Sequence, residues 1–342
     1  MLNLGYTQVF VEFRNIEFLN LRVVYCPPRR LGLEEFEYMD MEKKITHILE
    51  ENGPLTGAQL TALLPEFTDI AIWRQCYSSD SIRVSNCARY YLRYDITRGN
   101  QLRLSPSILR DFLTFSLIYS TDQMVEIVEK GTRLANQFRA ISMEKLHMAR
   151  RALLDLDDDL QEVLNKHCVV FLSGDIAYYL AHKTPRRHNQ LGVEILGSDI
   201  DIVIISNREV PADQIEKIEN QLLKIKKVFL MSPEIREELD FIVKPIEKMI
   251  EQLSYRDIHE KIASKILYES YFLMGRVDIY QALINHLEAA GTRDMIERDF
   301  EIALGQRKET IATILKLPPD ASTDDEQVAS LFFASKERLE FS

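Results

Sequence analysis

The sequence predicts an α/β core, a mixed sheet with flanking helices, between mainly α-helical regions at the two ends of the chain. Fully apolar runs of strand length, such as Cys168–Leu172, occur in one central part of the sequence, and such runs are typical of buried strands. Longer segments on both sides place apolar residues at helical spacing. The 342 residues are enough for two or three domains.

The composition is that of a globular protein. Hydrophobic residues make up 46% of the chain and charged residues 28%, which is enough apolar mass for real cores. The net charge of -11 excludes a protein whose whole surface coats nucleic acid, although a local basic patch is compatible with it. Four cysteines without a C-x-x-C pair predict neither a zinc site nor a disulfide framework, and they favour a reducing, cytoplasmic compartment. No apolar run reaches the roughly 18 residues that cross a bilayer, so no membrane partner is expected.

Residues 1–40 are an N-terminal extension whose status the sequence leaves open. Two strand-like runs precede Pro27-Pro28, which breaks the pattern. One interpretation is a small hairpin added to the next domain. The other is that translation begins at Met39 or Met41. Neither interpretation assigns a function to the stretch.

Residues 41–105 predict a small domain of three short helices followed by a hairpin. Thr56 is a candidate cap for the second helix. Gly99-Asn100 separates two strand-like runs, Ala88–Tyr94 and Gln101–Leu104. This order of elements is similar to that of winged helix-turn-helix domains.

The same domain carries a basic and aromatic strip. Between Ile70 and Leu104, six arginines accompany only two acids, with tyrosines and a tryptophan between them. Such a strip can hold phosphates and stack bases, so nucleic acid is a candidate partner. The alternative is a domain that docks onto the acidic remainder of the chain or onto another protein. The arginines are Arg74, Arg83, Arg89, Arg93, Arg98 and Arg103.

Residues 106–166 are expected to form a helical spacer. One helix starts at Ser105-Pro106. Thr121 then caps a long periodic segment that continues to Leu164 without a proline and with one glycine, Gly131, where a kink is expected. Such a spacer would separate the two ends of the molecule.

Residues 167–245 return to strand-like patterns, and residues 246–342 are helical again, with a polar break after Pro318-Pro319. The first range is predicted to be the catalytic core. Its expected strands are Cys168–Leu172, Asp199–Ser206, Val228–Met231 and Leu239–Val243, and its expected helices are Asp175–His182 and Pro211–Lys227.

Two aspartates, Asp199 and Asp201, open the second of these strands. Side chains alternate between faces along a strand, so both carboxylates are expected on one face, with Ile200, Ile202 and Ile204 in the core behind them. Neighbouring carboxylates repel each other unless a cation lies between them. Mg²⁺ usually takes one or two carboxylates together with substrate phosphates. Asp240 lies on a separate apolar strand and would complete a two-metal site.

The turn after the first strand, Ser173-Gly174, predicts a phosphate contact. A strand that ends in glycine and leads into a helix lets backbone N–H groups approach a phosphate closely. Glycine is needed in such a turn because a side chain would block the approach.

Together these features resemble the nucleotidyltransferases related to DNA polymerase beta, which combine an apolar strand, a small-residue turn, a D-x-D strand and a third acid on a later strand. The resemblance covers residues 166–245 and the helical region that follows. By this resemblance, Gly174 corresponds to the turn glycine, Ser173 to the small position, Asp199 and Asp201 to the metal-binding pair, and Asp240 to the third acid. It implies metal-assisted attack of a hydroxyl on the α-phosphate of a nucleoside triphosphate (NTP), with pyrophosphate leaving.

Two features depart from the family pattern. Asp199 follows Gly174 by 25 positions, which is longer than the usual spacing, and the order of the serine and the glycine is reversed. The extra length falls in the basic loop Lys183–Gln190 and in Leu191–Leu196, and it is interpreted as an insertion.

Several further residues are assigned to the nucleotide. The basic loop after the first strand could hold a triphosphate or simply be solvated. Lys261 and Lys265 lie four positions apart, near Glu269, where they would either touch the nucleotide or form surface ion pairs. The assigned nucleotide-binding residues are Ser173, Gly174, Ser198, Arg186 and Lys265.

Two functions follow from the sequence. The first is an enzyme that uses Mg²⁺ or Mn²⁺ to move a nucleotide from an NTP onto a hydroxyl of RNA, protein or a small molecule. The second is a DNA-binding regulator whose catalytically degenerate transferase domain only senses nucleotide. Metal-dependent turnover distinguishes the two.

Overall fold

The computed structural model, which describes residues 35–95, 101–188, 191–318 and 326–333, is a mixed α/β fold of helices and several small sheets. The strand-like runs expected before Pro27-Pro28 lie outside the described residues. Both alternative start positions, Met39 and Met41, fall inside the first helix, and the side chain of Met41 is buried in the N-terminal core.

The three helices expected in the N-terminal region are confirmed. Thr56 caps the second helix, since its side chain accepts from the Gln59 N–H while the Gln59 side chain accepts from the Thr56 N–H. Thr68 caps the third by accepting from the Ala71 N–H. The elements are α1 (Glu35–Asn52), β1 (Leu55–Thr56), α2 (Gly57–Ala62), α3 (Asp69–Ser78) and β2 (Ile82–Asn86).

The expected hairpin is also present, as the antiparallel strands β3 (Tyr91–Asp95) and β4 (Gln101–Ser105). Its predicted turn, Gly99-Asn100, lies outside the described residues. The hairpin does not pair with β2. It packs instead through Leu92, Tyr94 and Leu104 against residues near the C-terminal end of the chain, such as Ile296.

The helical spacer expected over residues 106–166 is wrong in its first part. A short helix, α4 (Ile108–Arg110), continues as a π-helical turn over Asp111–Phe115 and leads into a strand, β5 (Ser116–Ser120). All five residues of β5 are buried, because the strand lies between β1 and β2 in the sheet order β1-β5-β2. A run this short gives no periodic signal, and its partners are distant in sequence.

The rest of the spacer is helical but is not one helix. The first helix, α5 (Met124–Leu154), runs through Gly131 without a break. The second, α6 (Asp158–His167), begins after a turn. The predicted single segment, which continues to Leu164, therefore misses the break at residues 155–157 between the two helices.

The remaining elements include the central sheet and its helices, a separate two-stranded sheet β7-β8, and α12, which packs in the N-terminal core. Strand β9 pairs in parallel with β10 and antiparallel with β6, which pairs antiparallel with β11, so the order is β10-β9-β6-β11. The elements are β6 (Cys168–Ser173), β7 (Pro185–Arg187), β8 (Glu194–Leu196), β9 (Ile200–Ser206), α7 (Ala212–Met231), β10 (Leu239–Pro245), α8 (Ile246–Gln252), α9 (Ile258–Tyr268), β11 (Tyr271–Gly275), α10 (Val277–Ala289), α11 (Thr292–Ile314) and α12 (Glu326–Phe332).

Two local predictions are corrected here, and one strand was not predicted. The expected helix Asp175–His182 is only a 3₁₀ turn, Gly174–Ile176, followed by irregular turns. The expected strand Val228–Met231 is the last turn of α7, with two adjacent residues buried and the flanking two exposed, which is a helical pattern. The unpredicted β11 interrupts the C-terminal helices. It needs Gly275, since a Cβ atom at that position would lie 2.3 Å from the Cys168 carbonyl oxygen.

The central sheet is covered by helices on both faces. Along β9, the isoleucines at 200, 202 and 204 pack towards α5, α6 and α7, while Val203 and Ile205 pack towards α8, α9 and α10. Strand β6 alternates in the same way. The expectation that these three isoleucines lie in the core is thus confirmed, and the alternation leaves Asp201 on the opposite side of the strand from them.

The two ends of the chain share one core. Trp73 of α3 contacts Phe332 of α12 edge to face, with ring centroids 5.4 Å apart. Arg74 donates to the carbonyl oxygens of Leu317 and Pro318. Helix α3 therefore has six buried residues on several faces, Ile70, Ile72, Trp73, Arg74, Gln75 and Cys76. Over the described ranges, no helix is both long and apolar enough to cross a membrane.

Candidate active site

A cleft of about 300 Å³ opens beside the sheet at the start of β9 and β10. The structure brings every residue that the sequence assigned to metal or nucleotide to the lining of this one cleft. They are Asp199, Asp201, Asp240, Ser173, Gly174, Ser198, Arg186 and Lys265.

Sheet register places the central group of the cleft. Asp201 pairs directly with Asp240 across the parallel β9–β10 ladder and with Ser173 across the antiparallel β6–β9 ladder. Directly paired residues have neighbouring side chains. The two carboxylates therefore lie side by side, next to the turn that follows β6.

Gly174 lies against Asp201. Its φ of 71° is in the left-handed region, and a Cβ atom at this position would lie 2.8 Å from Asp201 Oδ2. The turn therefore requires glycine for two reasons, the backbone conformation and the space that the carboxylate occupies.

Electrostatics single out Asp201. Burial raises the pKa of the Asp201 carboxyl to about 7, and the nearby carboxylates of Asp240 and Asp175 act in the same direction. The positive charges of Arg93 and Lys265 oppose this effect without cancelling it. A cation bound between the carboxylates would remove the repulsion.

Asp199 lies just before β9 and is paired with Arg186, which the sequence assigned to the nucleotide. Arg186 also approaches Glu238 at 2.8 Å and donates to the Gly197 carbonyl oxygen at 2.9 Å. Its guanidinium thus connects the turn before β9 with the residue before β10. Asp199 lines the same cleft as Asp201, but from the turn and not from the strand.

The oxygen-rich lining fits a hard divalent cation, and the adjacency of Asp201 and Asp240 gives such a cation a place. In the described conformation, Asp240 is paired with Lys226 of α7. Within the described ranges, no group of three or more His, Cys, Asp or Glu side chains has the arrangement of a metal site. A cation would therefore have to replace Arg186 and Lys226 as partners of Asp199 and Asp240.

Lys265 is held by a buried carboxylate. The side chain of Glu269 accepts from Lys265 Nζ, from the Tyr178 hydroxyl at 3.0 Å and from the Gly174 N–H. Burial raises the pKa of the Glu269 carboxyl. The Gly174 N–H, which was expected to approach a phosphate, thus donates to the carboxylate of Glu269. This position in the turn can therefore bind an anionic group.

The sequence missed several residues of the cleft. Asp175 accepts from the Tyr91 hydroxyl at 2.8 Å and from Ser198 Oγ at 2.6 Å. Its place directly after Gly174 was the one available signal. Tyr91 comes from the β3–β4 hairpin, whose approach to the cleft depends on the tertiary fold. Other unpredicted lining residues are Arg93, Ser105, Arg110 and His182.

The arginine strip is mostly involved in internal contacts. Arg74 donates to the carbonyl oxygens of Leu317 and Pro318. Arg103 donates to those of Ser330 and Phe333. Arg83 donates to the Asp80 carbonyl oxygen, and the guanidinium of Arg89 lies 5.6 Å from the centre of the Tyr178 ring. Arg93 lines the cleft, and Arg98 lies outside the described residues. These contacts favour the alternative that the domain docks onto the rest of the chain.

Comparison with protein-family models, curated proteins and solved structures finds no match for the chain. The functional argument therefore depends on the geometry of the cleft and on the motif residues that line it.

Proposed function

We propose that the chain is a metal-dependent nucleotidyltransferase that moves a nucleotide from an NTP to a hydroxyl acceptor. The observation that carries the proposal is the direct pairing of Asp201 with Asp240 and with Ser173, beside Gly174 in one cleft. Carboxylates on adjacent strands next to a glycine turn suit a metal-bound triphosphate.

The architecture supports the proposal. A four-stranded sheet with one parallel pair and helices on both faces agrees with a nucleotidyltransferase-type core. In the N-terminal region, helices α1–α3 and the sheet order β1-β5-β2 agree with a winged helix. On this interpretation β2 and β5 are the paired strands of the wing, and the β3–β4 hairpin is an insertion between them that reaches the cleft.

The proposed roles follow from position. Asp199, Asp201 and Asp240 hold Mg²⁺ or Mn²⁺, and the bound metal supplies positive charge to the phosphate oxygens. Arg186 and Lys265, freed from their carboxylates, hold the triphosphate beside Ser173, Gly174 and Ser198. In the reaction the acceptor oxygen bonds to the α-phosphorus and its proton passes to solvent. The bond from the α-phosphorus to the bridging oxygen breaks, and its electron pair leaves with pyrophosphate.

The alternative is a regulator that senses nucleotide without turnover. The ion pairs of Asp199 and Asp240 with Arg186 and Lys226 favour it, since they occupy two of the three carboxylates. Its DNA-binding part has less support, because α3, the helix that would enter a major groove, is buried along most of its length.

The test is incubation of the full chain with each labelled NTP, Mg²⁺ and a cell extract, followed by identification of the labelled product. Asp201→Asn is expected to abolish labelling. Asp213→Asn, which neutralises an exposed carboxylate of α7 paired with Lys217, is the matched control and should label normally. Labelling by Asp201→Asn at the parental rate contradicts the proposal. NTP binding without any labelling supports the sensing alternative.

A further inference from the structure

A buried lysine of α5 joins the two segments that carry the cleft carboxylates. The side chain of Lys145 is 0% exposed. Its ammonium donates to the carbonyl oxygens of Leu196 at 2.7 Å and Ser198 at 2.9 Å, and to the carboxylate of Glu237. An ammonium has three N–H donors, so these acceptors use all of them.

The acceptors lie at two defined places. Ser198 directly precedes Asp199, and Glu237 precedes Asp240 by three residues. The two segments are also joined by backbone hydrogen bonds, from the Leu196 N–H to the Arg236 carbonyl oxygen at 2.8 Å and from the Ile200 N–H to the Glu238 carbonyl oxygen at 2.9 Å. Lys145 thus binds the turn before β9 and the turn before β10 at the same point, behind the cleft.

We propose that Lys145, together with Glu237, is a positioning residue that fixes Asp199 relative to Asp201 and Asp240 for metal binding. The inference depends on the proposed function. Apolar residues would fill the same space at lower electrostatic cost, since burying two charges is expensive even when they are paired. Burial lowers the pKa of Lys145, while Glu237 acts in the opposite direction. A buried pair that also binds two turn carbonyls specifies a local geometry that apolar packing would leave loose.

The consequence is measurable as metal affinity. Groups that orient metal ligands without touching the metal change affinity by about 10–100-fold when they are removed. Lys145 neither lines the cleft nor is expected to touch nucleotide. Its loss should therefore weaken metal binding and raise the metal concentration needed for half-maximal activity, with a smaller effect on NTP affinity at saturating metal.

The test measures Mn²⁺ binding to the full-length protein by calorimetry. The double variant Lys145→Met/Glu237→Gln removes both charges and keeps similar shapes, and it is expected to bind Mn²⁺ about 10–100-fold more weakly. Glu237→Gln alone leaves Lys145 its two carbonyl acceptors, and it should show a smaller loss in the same direction. This single variant decides the matter if the double variant does not fold.

Arg307→Met/Asp111→Asn is the matched control. It removes another buried ion pair, with a 2.7 Å contact between α11 and the N-terminal region, and it should lower the unfolding temperature without changing Mn²⁺ affinity. Parental Mn²⁺ affinity in folded Lys145 and Glu237 variants overturns the inference and leaves the proposed function standing. Absence of Mn²⁺ binding by the parent protein overturns both.

Discussion

At the scale of single residues, Asp201 combines burial with a neighbouring carboxylate. Because its pKa is raised to about 7 in the folded chain, ionisation opposes folding. The penalty is absent below about pH 4, where the folded and unfolded forms are both protonated, grows as the pH rises, and is complete above pH 7. Its size is on the order of 2–4 kcal/mol. The ionised Asp201 carboxylate therefore destabilises the fold.

We therefore expect Asp201→Asn to be more stable than the parent protein at pH 8 in the presence of a chelator. The difference in stability between the two proteins should be smaller at pH 5. Thermal unfolding of both proteins between pH 5 and pH 8 measures the difference. Saturating Mg²⁺ should reduce the advantage of the variant, because a bound cation stabilises the ionised carboxylate. Equal pH dependence of the two proteins would contradict a raised pKa of Asp201 in the folded chain.

Gly174 is limited by the same carboxylate. Gly174→Ala combines an unfavourable φ of 71° with a Cβ atom 2.8 Å from Asp201 Oδ2, so it should displace Asp201 and weaken NTP binding at least tenfold, a loss of about 1.4 kcal/mol. Gly291→Ala is the control, since Gly291 has a similar φ of 69° but no atom within 4 Å of the added Cβ. It should cost about 1 kcal/mol of stability and leave NTP binding, measured by calorimetry, unchanged. Similar losses of NTP binding in both variants would show that backbone strain, and not the contact with Asp201, causes the loss.

At the scale of elements, the sequence predicts what local patterns determine. Strands β6, β9 and β10 are apolar runs with clear ends, and the capped helices of the N-terminal region carry their own signals. The strand predicted at the end of α7 is wrong because Phe229 and Leu230 belong to an apolar run that fits either a strand or a helix. Strand β5 was not predicted because its pairing with β1 and β2 joins residues 30 or more positions apart.

The residues of the cleft likewise include some that local sequence patterns predict and others that they do not. Its carboxylates and its glycine turn could be predicted because the D-x-D spacing and the turn are contiguous in sequence. The pairing of Asp201 with Asp240 requires β10 to lie beside β9 in one register. The sequence showed only that Asp240 lies in an apolar run of strand length, and not which strand would pair with it. Tyr91 and Arg93 could not be predicted, since the β3–β4 hairpin reaches the cleft through packing against α9 and α11. The ion pair of Arg186 with Asp199 depends on side-chain positions and leaves no pattern in the sequence, whereas Lys265 and Glu269 have the i,i+4 spacing of a helix ion pair.

At the scale of the whole molecule, the ends of the chain are interdependent. The N-terminal core contains residues of α1–α3 together with Ile314 and residues of α12. Arg307 of α11 is paired with Asp111 and donates to the Pro106 carbonyl oxygen at 2.8 Å. The spacer expected from the sequence would have kept these ends apart, whereas the fold returns the C-terminal helices to the N-terminal region. These contacts cover helix α3, so in the described fold it is not exposed as a helix that enters a DNA major groove would be.

Phe332→Ala tests this interdependence. Phe332 is 1% exposed and contacts Trp73, the single tryptophan of the chain, so tryptophan fluorescence reports the N-terminal core directly. Truncation of a buried phenylalanine costs about 3–5 kcal/mol, and we expect a lower unfolding midpoint together with red-shifted emission in the folded state. Leu154→Ala, at a leucine that is 62% exposed, is the control and should change neither.

If the two ends are one cooperative unit, Phe332→Ala should lower the midpoint followed by circular dichroism by the same amount as the fluorescence midpoint. An unchanged fluorescence midpoint would mean that α12 does not stabilise the N-terminal core, and duplex DNA binding through α3 would again be compatible with the fold.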